Sequence, residues 1–108
     1  MPRPRKKRIL SRRPRAAVYK PAGVPLDQLR QVSLLQEELE ALRLADLEGL
    51  TQARAAEQMG ISRSTFQRIL AQARHRVAQA LVQGCALHIE GGTFEVRPPR
   101  PGRPRRRE

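Results

Sequence analysis

Aromatic side chains are almost missing from this chain. Tyr19, Phe66 and Phe94 are the only three among 108 residues, and there is no tryptophan. Proteins that hold single-stranded nucleic acid stack its bases on aromatic platforms, so single-strand and sequence-specific RNA reading are disfavoured. Cysteine is as scarce. The single Cys85 excludes an internal disulfide framework and fits a reducing compartment. It follows an expected helix end and reads as a small, partly buried side chain. No stretch approaches ~18 apolar residues, so no membrane span is expected. The basic N-terminus lacks the apolar segment of a secretory signal. Asp46, Glu48 and Glu57 fit helix-surface solvation, and no nucleophile, glycine-rich phosphate loop or ligand cluster accompanies them. His75 and His88 are isolated. The chain is expected not to be an enzyme and to carry no metal or cofactor.

What the chain has in excess is positive charge. It holds 22 Lys and Arg against 10 Asp and Glu, a net charge of +12. The distribution is uneven. Residues 1–20 hold nine basic residues and no acid, and residues 97–108 hold six Arg and one Glu, while residues 21–96 are near neutral. The excess lies on two Pro/Arg-rich arms that cannot bury enough apolar surface to order themselves. A polyanion is the usual reason to keep such arms. The expected organisation is a flexible basic arm over 1–18, one small domain over 19–96 and a disordered Arg/Pro-rich tail over 97–108. Arg100-Pro101-Gly102-Arg103-Pro104 in the tail matches the AT-hook core weakly, because Pro101 stands where the first core Arg belongs. Non-specific phosphate attraction is the expected role of both arms.

Residues 51–70, TQARAAEQMGISRSTFQRIL, carry the most specific signal. They read as two short helices joined by a tight turn. Thr51 can cap a first helix over about 52–59. Gly60 falls where that helix must stop, and Ser62 can cap the second. Ala55 and Ala56 are small where two helices cross closely. Met59, Ile61, Phe66 and Ile69 supply a shared apolar core. At about 100° per residue, Phe66, Ile69, Leu70, Ala73 and Val77 share one face of the second helix. Ser64, Gln67, Arg68, Ala71 and His75 lie opposite, with Arg63 and Arg74 at the edge. Residues 61–84 contain no Asp or Glu. An acid-free face suits the major groove, where Arg pairs with guanine and Gln with adenine.

The flanking segments complete the expected domain. Residues 21–32 form a Pro-punctuated lead-in, and Tyr19, Val24, Leu26 and Leu29 are expected to pack back onto the core. Ser33 with Gln36 reads as a capping box that starts a helix running to about Leu47. Leu35, Leu39 and Leu42 form one stripe of it, Leu44 and Leu47 another, so the lead-in or a second subunit should cover it from both sides. Gly49 ends it. The second helix of the 51–70 unit continues through Ala73, Val77, Ala80 and Leu81 to Gly84. The period then becomes 2. ALHIE, Gly91-Gly92 and TFEV read as a β-hairpin that pairs Ile89 with Phe94 and Leu87 with Val96. A lone hairpin is marginal in water, so its apolar face should lie on helices or on a partner.

The run LRLADLEGLTQARAAEQMGISRSTFQRILAQARHRVAQAL resembles region 4 of sigma factors, which reads promoter DNA. From MPRPRKKR to the IEGG at 89–92, the chain is also similar to a family of small prokaryotic proteins described as predicted DNA-binding proteins of uncharacterised function. The PRP start, KPAGVPL, LEALRLADLEGLTQ, MGISRSTF and IEGG carry that resemblance. It implies a mainly α fold: a sigma region 4-like helix-turn-helix bundle with a C-terminal β-hairpin and flexible basic arms. It implies that Ser62, Arg63, Ser64, Gln67 and Arg68 face DNA. Several relatives have cysteines in the N-terminal segment, which here holds none, and the tail after Val96 is no part of the pattern.

The set expected to meet DNA is Thr51, Ser62, Arg63, Ser64, Thr65, Gln67, Arg68, Arg74 and His75. The expected function is sequence-specific double-stranded DNA binding in transcriptional regulation, in the cytoplasm at the nucleoid. Two alternatives stand beside it. One is an adaptor contacting RNA polymerase or a sigma factor, for which the helix 36–47 offers four acids among its twelve residues. The other is a nucleoid-type protein in which the arms dominate. Because one recognition helix reads only a few base pairs, a homodimer on a symmetric site is expected.

Overall fold

The computed structural model describes residues 7–11, 17–92 and 94–96, the last three by their backbone. In chain order the elements are β1 (Arg8–Leu10), β2 (Ala17–Tyr19), a 3₁₀ turn (Leu26–Gln28), β3 (Gln31–Leu34), α1 (Gln36–Leu42) and a π-helical turn (Arg43–Leu47). These are followed by α2 (Gln52–Gln58), α3 (Arg63–Gln83), β4 (Ala86–Ile89) and β5 (Phe94–Val96). The fold is mixed rather than mainly α. The tail 97–108, with its AT-hook-like stretch, lies outside the described residues, as do 1–6 and 12–16 of the N-terminal arm.

The spine is α3. Ser62 caps it, its Oγ accepting from the Thr65 N–H at 3.1 Å. It runs 21 residues to Gly84, about 30 Å at 1.5 Å per residue. Its apolar stripe serves three clusters in succession. Phe66, Ile69 and Leu70 pack with Ala41, Leu44, Ala55, Ala56 and Met59 in a helical core. Further along, Ala73 packs with Leu34 and Ile89, and Ala80 with Val32 and Cys85. Cys85 is buried and free. The stripe read from the sequence is therefore the buried one, and the long helix joins the helical layer to a sheet.

That sheet differs from the expected hairpin. β4 and β5 do not pair with each other. β4 is the centre of a three-stranded sheet, antiparallel to β2 and parallel to β3, while β5 pairs in parallel with β1. Leu34 lies opposite Ile89, and Arg8 opposite Phe94. The apolar residues Leu87 and Ile89 do face the helices, packing beside Leu34 and Ala73. What the alternation could not reveal is the strand partner. Gly91 and Gly92 link two sheets instead of turning a hairpin. The Gly91 carbonyl accepts the Gln36 N–H at 3.3 Å. A Cβ on Gly92, whose φ is +101°, would stand 2.9 Å from Glu37 Oε1. The glycine permits this close approach.

Two further expectations are corrected. Ser33 does not start a helix: it lies in β3, whose Val32 and Leu34 are buried and whose Gln31 and Ser33 are exposed. The helix starts at Gln36, and Glu38 Oε1 reaches back to accept the Leu35 N–H at 2.8 Å. Strand alternation that delivers two apolar residues to the core overrides a local capping pattern. The helical path does continue to Leu47, but its last five residues form the π turn. In the lead-in, Tyr19 is 58% exposed on β2, and Val24, Leu26 and Leu29 are only half-buried. The lead-in leaves Leu47 79% exposed.

The N-terminal segment contributes two strands where a flexible arm over 1–18 was expected. Buried acids on α1 hold it. Glu37 pairs with Arg8 at 3.0 Å. Glu40 accepts from the backbone N–H and the hydroxyl of Ser11 at 2.8 and 2.7 Å. Isolated buried carboxylates are costly, so these three partners make the burial tenable and fix residues 8–11 in return. No helix among the described residues is long and apolar enough to cross a membrane.

Candidate nucleic-acid interface

The geometry of the interface begins at residues 59–62. Thr51 Oγ1 accepts from the Arg54 N–H at 3.2 Å and opens α2. α2 ends at Gln58, the Gly60 backbone takes a φ of +66°, and Ser62 opens α3. Phe66, fully buried against Met59 and Ala56, fixes the rotation of α3 about its axis. The opposite side of its first turns therefore points outward. Arg63, Ser64, Gln67, Arg68, Ala71, Gln72 and His75 are all exposed.

Not every expected residue is equally placed to meet a ligand. Ser62 and Thr51 are exposed but serve as caps. Thr65 is half-buried, and its Oγ1 accepts from the Ser62 hydroxyl at 2.8 Å. Arg74 is exposed yet engaged. Its guanidinium donates to both Asp46 oxygens, at 3.0 and 2.6 Å. That bidentate bond holds the Asp46 carboxyl below its usual range and raises Arg74 further. Among the described residues, Arg63, Gln67 and Arg68 form no comparably strong bond. Arg68 reaches Thr65 only at 3.5 Å.

Sequence reasoning passed over what stands beside this face. The Ile9 N–H donates to the Met59 carbonyl at 3.0 Å, and a Cβ on Gly60 would come within 3.1 Å of Ile9 Cδ1. β1 is thus seated on the turn that precedes α3. Arg8 lines a cleft of about 370 Å³ together with Glu37, Glu38, Thr65, Arg68 and Gln72. The only hint in the sequence is Ile9-Leu10, an apolar pair inside a basic run.

The acids of α1 are engaged internally. Glu38 faces Arg76 of α3 at 3.3 Å. Glu40 meets Arg43 at 2.7 Å, and Arg43 also pairs with Glu48. Burial alone would push the Glu40 carboxyl up, but hydrogen bonds from Arg43 and Ser11 outweigh it and hold the group below its ordinary value.

Residues 1–97 match the model of a family described as protein of unknown function DUF134. The chain belongs to the DUF134 family. Its relatives carry the name UPF0251. One from Dehalococcoides mccartyi is 60% identical over 96 residues, covering 89% of this chain and 82% of the relative. One from Caldanaerobacter subterraneus is 50% identical over 96 residues, covering 89% and 81%. One from Rhodospirillum rubrum is 55% identical over 92 residues, covering 85% and 64%. No solved structure matches the chain. The DUF134 match takes in β1, the α2–turn–α3 unit and β5, and it stops at Arg97, before most of the Arg/Pro-rich tail.

Proposed function

We propose that this DUF134 chain binds double-stranded DNA sequence-specifically, with α2 and α3 acting as a sigma region 4-like helix-turn-helix, and that it regulates transcription. One observation carries the reading: α3 exposes Arg63, Ser64, Gln67 and Arg68 at its capped start, and no acid occurs in residues 61–84. A helix N-terminus with that side-chain set fits the donor and acceptor edges of the major groove. The buried Phe66 beneath it supplies the rigid backing that base reading needs. The adaptor reading has less support, because three of the four acids that motivated it, Glu37, Glu38 and Glu40, are buried in pairs with Arg8, Arg76 and Arg43.

A second copy on a symmetric site follows from the short reach of a single helix. Among the described residues, Leu47, Leu81 and Val82 are the large apolar side chains most exposed for such a contact. Light scattering on DNA should give the mass of the duplex plus two chains.

Selection of bound duplexes from a random pool tests the proposal. A defined core sequence should emerge. Gln67→Ala and Arg68→Ala should each cost ~1–3 kcal/mol on that core and little on random DNA. Absence of any enriched sequence would refute the reading. The tail should supply affinity without sequence information. Its removal should weaken all duplexes alike and flatten the salt dependence by about 0.9 in log–log slope for each phosphate that the tail neutralises.

A further inference from the structure

We infer that Ile9 is a positioning residue for DNA reading: from β1 it sets the angle between α2 and α3, and through that angle the sequence preference of the pair. This role rests on the reading of α2 and α3 as a helix-turn-helix. It goes beyond that reading by making the unit depend on a strand fifty residues before Met59 in the chain.

Three observations carry it. First, the end of α2 is completed from β1. The last carbonyls of a helix find no donor within it. The Ala56 and Glu57 carbonyls are served by the turn itself, accepting from the Ile61 and Gly60 N–H groups, each at 3.1 Å. The Met59 carbonyl instead accepts from the Ile9 N–H, at 3.0 Å. Second, the half-buried Ile9 side chain fills the space beside the turn. Gly60 has a φ of +66°, and a Cβ on it would stand 3.1 Å from Ile9 Cδ1 and 3.5 Å from Cγ1. Third, β1 is fixed to the rest of the fold and so resists movement of the turn. Leu10 is buried, Arg8 pairs with Glu37 at 3.0 Å, Ser11 bonds to Glu40 at 2.7 and 2.8 Å, and Arg8–Leu10 pair with β5. Both acids belong to α1, which packs with α3 through Ala41 and Leu44. The turn is thus held between the helical core and a strand tied to the same α1.

The consequence is leverage. In a helix-turn-helix the second helix enters the major groove while the first crosses the backbone, so both must fit the duplex at once. Thr51 and Arg54 are exposed towards the far end of α2. Thr51 precedes Met59 by eight residues, ~12 Å along a helix, so a tilt of ~10° at the turn would carry it ~2 Å. A recognition site tolerates only ~0.5 Å. Random DNA imposes no register, because phosphate contacts carry no sequence information, and its binding should not sense the tilt.

Ile9→Ala and Ile9→Pro test this in the full chain. The first removes the packing against Gly60 and keeps the N–H. The second removes the N–H that faces Met59. Residual dipolar couplings of the backbone amides give the α2–α3 angle in the free protein. Fluorescence anisotropy gives the ratio of affinities for the selected core and for random duplex. Both variants should move the α2 couplings out of the frame that α3 defines and lower the ratio about tenfold, with affinity for random duplex and the salt slope unchanged. Ile9→Leu, which keeps the N–H and an apolar side chain of the same size, should retain most of the ratio. Val32→Ala, in the cluster at the sheet end of α3, controls for stability: it should lower the melting temperature and leave angle and ratio intact. If Ile9→Pro unfolds the chain, Ile9→Ala decides alone. An unchanged angle, an unchanged ratio, a loss shared equally by both duplexes, or an equal effect of Val32→Ala would overturn the inference. Failure of the helix reading is separable. It appears as the absence of any selected core, while the angle, measured without DNA, still answers for Ile9.

Discussion

Asp46 holds Arg74 by two hydrogen bonds, at 3.0 and 2.6 Å, and so joins the π turn to the middle of α3. Both groups are substantially exposed, so the pair should contribute at most ~1 kcal/mol to stability. Its greater consequence is for the charge of the exposed side of α3. While Asp46 is bound, Arg74 is neutralised on the strip that α3 presents.

Asp46→Asn should therefore release Arg74 without unfolding the domain. DNA affinity should rise for specific and random duplexes alike. The log–log salt slope should steepen by about 0.9 if Arg74 gains one phosphate. Fluorescence anisotropy at several salt concentrations measures this. A weaker affinity at unchanged melting temperature would mean that the pair itself orients α3.

Phe66→Ala should loosen or unfold the domain. Phe66 is fully buried between α2, α3 and α1. Its truncation should cost ~3–5 kcal/mol against a total of ~5–15 for a small domain. Thermal denaturation checks the loss, and an unchanged melting temperature would contradict the packing described.

Acid should destabilise the N-terminal strand through Glu40. Its carboxyl is held low by Arg43 and Ser11 against the opposing effect of burial. A group whose folded pKa lies below its unfolded value stabilises the fold above the unfolded value. That stabilisation is lost as pH falls through the folded one. Stability should thus decline below about pH 4, the unfolded carboxylate range. Glu40→Gln should flatten that decline and cost ~1–3 kcal/mol near neutrality, by weakening the bonds from Ser11 and removing one of the two carboxylates that Arg43 meets, Glu48 being the other. Denaturant titrations at neutral and acidic pH separate the two effects.

Gly92→Ala should be more harmful than Gly91→Ala. At Gly92 a Cβ would meet Glu37 Oε1 at 2.9 Å with φ at +101°, whereas at Gly91 the nearest atom is Leu35 Cδ2 at 3.8 Å with φ at +67°. Both conformations disfavour an L side chain, at ~1–3 kcal/mol. Only the first also pushes on the carboxyl that holds Arg8. Paired melting curves should rank them in that order, and equal losses would show that backbone strain alone decides.

Much of the helical unit was legible because its signals are local. Thr51, Gly60, Ser62 and Gly84 mark the ends of α2 and α3, and the period of Phe66, Ile69, Leu70 and Ala73 marks the buried stripe. Each of these features acts on residues within a turn or two of itself, so a window of sequence contains both cause and effect. The exposed strip was legible for the same reason: it is the complement of the stripe.

Strand partners and ion-pair partners were not legible. Leu87 and Ile89 alternate with polar residues, which fixes the face they bury but not the neighbouring strand. β4 takes β2 and β3, and β5 takes β1 from the far end of the chain. Pairing across such separations depends on loop closure and on the shape of the helical layer, neither of which a short window contains. The acids of α1 read as a surface offered to a protein partner because nothing nearby in sequence announces Arg8, Ser11 or Arg76 as theirs. The sequence by itself determined where α2 and α3 begin and end and which of their residues are buried. Only the tertiary structure decided that a basic N-terminal segment is clamped to the turn before α3, because a buried carboxylate acquires its meaning from the charge that folding brings to it.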